Sequence, residues 1–217
     1  MNYTGRVFAI GVVALFNICR YIYYHYYLEL PFEMTFFILT IIFLTIAWWC
    51  GKQFDRAKYF SEKDPLTDTY NRRTIEQNFL KMVLTCKKEN KKLGIVMVDL
   101  DNFKDINDTY GHHIGDQALI HIANKITESA GKNDLVARWG GDEFVILMSN
   151  INANYIQDFK KKVEKGDFDG LLSLKASIGY STYPDDGESF QELVRQADYL
   201  MYKEKVERKP SILKEVE

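Results

Sequence analysis

The chain changes character near residue 50. Only four of the first fifty positions are charged, Arg6, Arg20, Glu29 and Glu33, and apolar and aromatic side chains dominate the rest. Residues 34–50 form a run of 17 without a charge, at the short end of what crosses a hydrocarbon core. Trp48 and Trp49 near its end suit a bilayer interface. A second apolar run, residues 7–19, continues into Arg20 and a tyrosine-rich stretch, and Pro31 lies in the short segment between the two. The pattern predicts two membrane helices joined by a turn. Arg20 is awkward at that depth unless it snorkels or the span ends in the tyrosine belt. Lys52, Arg56 and Lys58 follow the second run at once, which places both ends of the hairpin on the cytoplasmic side. A cleaved signal peptide would need a small-residue site after its apolar region, and Arg20-Tyr21-Ile22-Tyr23 offers none. The expected division is a two-helix transmembrane hairpin over 1–50, a helical connector over 51–63 and a soluble domain over 64–217.

The soluble part alternates two periods. Asp64-Pro65-Leu66-Thr67 reads as a turn. Asn71 is a suitable N-cap for a helix over 72–91. Residues 94–100 are a short β-branched apolar run, the pattern of a buried strand. An irregular stretch follows, then helical spacing over 116–129 through Leu119, Ile122, Ala123 and Ile126. Residues 135–139 and 144–148 flank Gly140-Gly141-Asp142-Glu143, a hairpin pattern. A helix over 155–165, a strand over 173–180 and a helix over 189–207 complete the order. Helix and strand mix around one sheet, so the class is α+β, or an α/β sandwich.

Net charge is -2, with 28 basic against 30 acidic side chains. That balance speaks against a general nucleic-acid binder. Three sparsely spaced cysteines, Cys19, Cys50 and Cys86, suggest neither a disulfide framework nor a zinc site.

The chemistry lies in carboxylates. Asp99 and Asp101 end an apolar strand, and residues two apart on a strand share a face. An acid at a buried strand end is costly unless paired or bound to a cation. Asp142 and Glu143 sit at a hairpin tip. If the hairpin lies beside the first strand, the acids converge and favour a hard cation bridging to substrate phosphates. Gly140 and Gly141 permit positive φ and a close backbone approach to a nucleotide. Taken singly, Asp99, Asp101 and Asn102 are ordinary turn residues, and Gly140-Gly141 an ordinary hairpin turn. Their combination carries the argument.

Residues 138–144, RWGGDEF, contain the GGDEF signature, and the chain resembles the diguanylate cyclases from about 64 to 209. Asp64-Pro65-Leu66-Thr67 with Asn71-Arg72-Arg73 resembles that family's opening motif. Residues 99–116, DLDNFKDINDTYGHHIGD, resemble its nucleotide-binding stretch. Ser177-Ile178-Gly179 and Tyr183-Pro184 resemble its late strand and turn. The resemblance implies a sheet like the palm of adenylate cyclases and polymerases. It implies condensation of two GTP into cyclic di-GMP for second-messenger signalling. Asp99, Asp142 and the Leu100 carbonyl would hold Mg²⁺, with Mn²⁺ as a substitute. Asn107 and Asp116 look like guanine readers, since a carboxylate accepts from N1–H and N2–H2 together. His112 falls near the ribose or base. Phe103 and Lys104 follow Asn102 at a helix start suited to phosphate. Lys205 and Lys209 match late phosphate-binding positions, although 208–210 read Arg-Lys-Pro where the family has Gly-Arg-Asn. Glu143 is the candidate for deprotonating the 3′-hydroxyl.

Each domain would bind one GTP, so a homodimer on the inner membrane, with the catalytic domain cytoplasmic, is expected. The family's inhibitory product site, Arg-x-x-Asp, is broken here: Gly131 replaces the arginine and Asp134 remains. Weak or absent product inhibition follows. A degenerate domain that binds GTP without turnover, and a membrane adaptor that acts by dimerising, are the competing expectations.

Overall fold

The computed structural model describes residues 3–31, 33–164, 166–168 and 172–208. The chain divides into two compact units, Met1–Ser61 and Glu62–Glu217.

The first unit is a helical hairpin. Helix α1 (Thr4–Ile22) runs into one π-helical turn, Tyr23–Tyr27. Helix α2 (Met34–Glu62) returns without a break, so the expected connector after residue 50 is its last turns. Both are long and apolar enough to cross a membrane, and side chains such as Phe8, Leu15, Phe37 and Ile41 are exposed along them. The two helices are fastened at each end by polar groups. At one end Asp55 of α2 accepts from the Gly5 amide at 2.6 Å, the Arg6 amide at 3.3 Å and Arg6 Nε at 3.0 Å. Those amides belong to the first turn of α1, which has no acceptor of its own. Glycine is required for the approach: a Cβ on Gly51 would lie 2.6 Å from Arg6 Cα. At the other end Arg20 Nη2 donates to Phe36 O at 2.8 Å and Thr40 Oγ1 at 2.7 Å, and Thr40 also bonds Asn17. Arg20 therefore finds partners across the hairpin rather than reaching away from it.

The second unit is one sheet between two helical layers. Its strands are β1 (Tyr70–Asn71), β2 (Leu93–Leu100), β3 (Leu135–Arg138), β4 (Glu143–Met148) and β7 (Ala176–Tyr183), in the order β1-β3-β4-β2-β7. All neighbours are antiparallel except β1 with β3. A separate small hairpin pairs β5 (Gly166–Phe168) with β6 (Leu172–Leu174). Strand β2 is central and buried along its whole length. Its odd-numbered side chains, Leu93, Ile95 and Met97, pack under α3 (Arg72–Lys88) and α7 (Phe190–Arg208). Its even-numbered ones, Val96, Val98 and Leu100, pack under α4 (Phe103–Tyr110), α5 (His112–Ser129) and α6 (Ala153–Glu164). The strand alternation thus builds two cores, one per face.

Several expectations change. The stretch after β2 is helical, as α4, with Ile106 buried beneath it. Helix α3 starts at its Asn71 cap, whose Oδ1 accepts from the Thr74 amide at 3.0 Å, but stops at Lys88. Asn90 takes a left-handed φ of 53°, which ends the helix. The strand expected over 173–180 is two pieces, with Lys175 between β6 and a longer β7. Helix α6 starts two residues early, and Lys165 lies outside the described residues.

Candidate active site

The register of β2 determines where its acid points. Asp99 lies directly opposite Glu143 of β4 and Ser177 of β7, so these three share the α3/α7 face. Asp142 stands one residue before β4, and its carbonyl accepts from the Leu100 amide at 3.2 Å. The hairpin tip is therefore tied to the end of β2, and the expected convergence of acids occurs. Asp101 lies just past the strand and accepts from Ser177 Oγ at 2.7 Å.

Asp99 is 8% exposed and paired with Lys205 of α7. Burial raises its carboxyl; Lys205 opposes this, and Asp142 and Asp101 add to it, leaving it above the ordinary range. Burial also raises Glu143, with Asp99, Asp142 and Asp198 contributing in that order. Burial pulls Lys205 down, but Asp99 and its acidic neighbours outweigh that, so Lys205 is held protonated. This crowding of like charge is what a cation would relieve. Among the described residues no three His, Cys, Asp or Glu side chains form a ready cage. Two carboxylates with a backbone carbonyl nevertheless suit Mg²⁺, which keeps waters and substrate phosphates as its other ligands.

The tip itself is braced by residues that sequence reading missed. Arg138 donates to the carbonyls of Gly140 at 3.2 Å and Gly141 at 2.7 Å, and its Nη1 meets Asp64 at 3.2 Å. Asp64 also accepts from the Thr67 amide and hydroxyl. Burial would raise the Asp64 carboxyl; the Thr67 and Arg138 contacts outweigh it and hold it low. The opening turn thus supports the signature hairpin from across the sheet. Neither Gly140 nor Gly141 adopts a positive φ; among the described residues the glycines that do are Gly111 and Gly187. A Cβ on Gly141 would meet nothing within 4 Å, so its open side faces free space.

The guanine-reader candidates sit on two helices joined at Gly111, whose φ of 82° lets α4 turn into α5. Asn107 on α4 is half-buried and Asp116 on α5 is exposed. Gly115 makes room for the first of them: a Cβ there would lie 1.9 Å from Asn107 Oδ1. His112 is exposed at the start of α5. Asn102, at φ 56°, begins α4 without a side-chain cap bond, which leaves the amides beside Phe103 and Lys104 to other acceptors. Lys104 is exposed. Lys209 lies outside the described residues.

Asp134, expected as the remnant of a product site, is bonded within its own domain. Asp134 Oδ1 accepts from the Ser149 amide at 2.8 Å, and Oδ2 accepts from the Gly131 amide at 2.8 Å and the Tyr155 hydroxyl. Burial and then Asp134 push the Tyr155 hydroxyl up to about 12, so it remains a donor. The carboxylate is fully engaged inside its own domain.

A mostly antiparallel sheet backed by helices on both faces, with acids and a lysine gathered at one strand end, defines an α+β domain with a charged site at the end of β2. Its particular kind is settled by comparison. The chain belongs to the GGDEF-domain diguanylate cyclase family, whose model matches residues 61–210. It is 36% identical over 140 residues to diguanylate cyclase A of Treponema denticola, covering 61% of this chain and 38% of that protein. It is 29% identical over 156 residues to the probable diguanylate cyclase DgcC of Escherichia coli K12, covering 69% of this chain and 42% of that one. The chain thus spans well under half of either relative. The GGDEF domain of TpbB (YfiN) from Pseudomonas aeruginosa superposes with a TM-score of 0.62 at 30% identity, over 67% of this chain and 89% of that one.

Proposed function

We propose that this chain is a membrane-anchored diguanylate cyclase that joins two GTP into cyclic di-GMP and releases two pyrophosphates. The observation that carries the reading is the meeting of Asp99, Asp142 and Glu143 at one end of β2, with Lys205 beside them. In the reaction the 3′-hydroxyl of one GTP attacks the α-phosphorus of the other, and this happens twice.

Asp99, Asp142 and the Leu100 carbonyl would hold Mg²⁺, or Mn²⁺ in its place, and a cation there would supply charge neutralisation and Lewis-acid polarisation at the phosphate. Glu143, whose carboxyl is raised by burial and its acidic neighbours, is the candidate base for the hydroxyl proton. Lys205, now paired with Asp99, is placed to meet the phosphates, with Lys104, Lys209 and the α4 amides adding positive potential. Asn107 and Asp116 read guanine, and His112 flanks the ribose. One domain holds one GTP, so two copies face each other in the working state. The apolar hairpin crosses the inner membrane twice, and the basic flank at Lys52, Arg56 and Lys58 keeps the catalytic domain cytoplasmic. The test is incubation of the purified chain with GTP and Mg²⁺. Cyclic di-GMP identified by mass spectrometry is the expected product; GTP bound but unchanged by a folded dimer would overturn the reading.

Two further outcomes follow. Gly115→Ala is expected to raise KM for GTP about tenfold, the equivalent of one lost hydrogen bond. Its Cβ displaces only the Asn107 side chain. Turnover at saturation and the melting temperature should hold, as steady-state kinetics and calorimetry would show. Asp134→Ala strips acceptors from Ser149, Gly131 and Tyr155 and is expected to cost about 2 kcal/mol of stability. Inhibition by added cyclic di-GMP, already weak, should not change.

A further inference from the structure

The outer end of the hairpin holds a cavity of about 210 Å³ with a cation in its wall. Its lining combines Arg20 and Glu33 with Tyr24 and Thr35, and with apolar walls from Pro31 and Phe36. Arg20 uses Nη2 on α2, and its ring-like plane lies 4.0 Å over Phe36. Its Nε is buried and, among the described residues, donates to no atom. A guanidinium has five donors, the bonds to α2 use only Nη2, and among the described residues no carboxylate pairs with Arg20, so its charge is left for an anion in the cavity. Glu33 is exposed at the same cavity and accepts from the Thr35 hydroxyl at 3.3 Å.

From these groups we infer that the cavity binds a small zwitterion, with a monoanionic phosphate or carboxylate on Arg20 and a primary ammonium at Glu33. Glu33 disfavours a dianion, and the volume is below the roughly 300–1,000 Å³ of pockets for drug-sized ligands. Position along the hairpin supports the same chemistry. Phe36 and Asp55 are nineteen residues apart on one helix, about 28 Å by helical rise and close to a hydrocarbon core's thickness. The cavity then lies at headgroup level on the side away from the Arg6–Asp55 pair. An aminophospholipid headgroup and a free zwitterion present the same two charges. The inference rests on the membrane reading.

The experiment uses the full chain. Whether it needs lipid or detergent to stay in solution is read first, and a chain that needs neither overturns the membrane reading before any ligand is examined. The chain is then placed in nanodiscs containing phosphatidylethanolamine and phosphatidylcholine, and the lipids it retains are weighed by native mass spectrometry. In a second arm glycerophosphoethanolamine is titrated calorimetrically onto the chain in pure phosphatidylcholine nanodiscs. A preference for the primary amine of about tenfold is expected, the equivalent of one charge-assisted hydrogen bond. It should vanish in Glu33→Gln, whose side chain is exposed, and in Arg20→Gln. Lipid retention would identify a headgroup site, and heat from the free headgroup a site for a soluble zwitterion. Equal retention of both lipids with no heat, or a preference unchanged in Glu33→Gln, overturns the inference.

Discussion

Asp142→Asn is expected to lower cyclic di-GMP formation by about a thousandfold or more while the domain stays folded. Removing one preorganised group that stabilises developing charge typically costs about a hundred- to a thousandfold, and here a proposed metal ligand is removed as well. Asparagine keeps the size but gives up the charge that balances a divalent cation. The side chain sits in the turn before β4, while the tie to β2 runs through its backbone carbonyl and survives the change. Melting should therefore match the parent, and GTP bound through Asn107 and Asp116 should persist at reduced affinity. The check is product formation by chromatography beside a thermal melt. A variant that still makes cyclic di-GMP within tenfold of the parent would remove Asp142 from the metal site.

Gly179→Ala is expected to destabilise the soluble unit by more than about 3 kcal/mol, at the upper end of overpacking effects. Strand β7 passes directly beneath α7 at this point. A methyl group on Gly179 would lie 2.0 Å from Ala197 O and 2.3 Å from Met201 N. Both are backbone atoms inside a helix, so no side-chain rotation relieves the clash and α7 must move as a body. Lys205, one turn beyond Met201, would be carried off Asp99 with it. Hydrogen exchange in the detergent-solubilised chain reports the outcome. Amides of β2 and β7 should lose most of their protection, and activity should fall together with that of Lys205→Ala.

How much of this was open to sequence reading depends on whether a feature repeats along the chain or arises between distant segments. The apolar run of β2, the β3–β4 hairpin and the Asn71 cap carry local signals, and they form where the pattern places them. Helix α4 is absent from the hydrophobic pattern, although the family resemblance places a helix start at Asn102. Residues 103–110 hold two acids and two further turn-favouring side chains among few apolar ones, and it is burial of Ile106 under α5 that makes them helical. Gly115 and Gly179 look alike as letters, yet one clears space for a polar tip and the other for a helix backbone. The brace from Asp64 through Arg138 to the glycine carbonyls joins residues 74 positions apart, so no window along the chain contains it. Asp134 was legible as the surviving half of a family motif, but its four internal donors come from three residues, Gly131, Ser149 and Tyr155.

The clasp between Asp55 and the first turn of α1 also constrains how the protein is made. Gly5 leaves the ribosome fifty residues before the acid that accepts its amide. Until Asp55 emerges, the Gly5 and Arg6 amides have no acceptor within their own helix and rely on water. The first turn of α1 therefore gains its fixed partner only once most of α2 has been made.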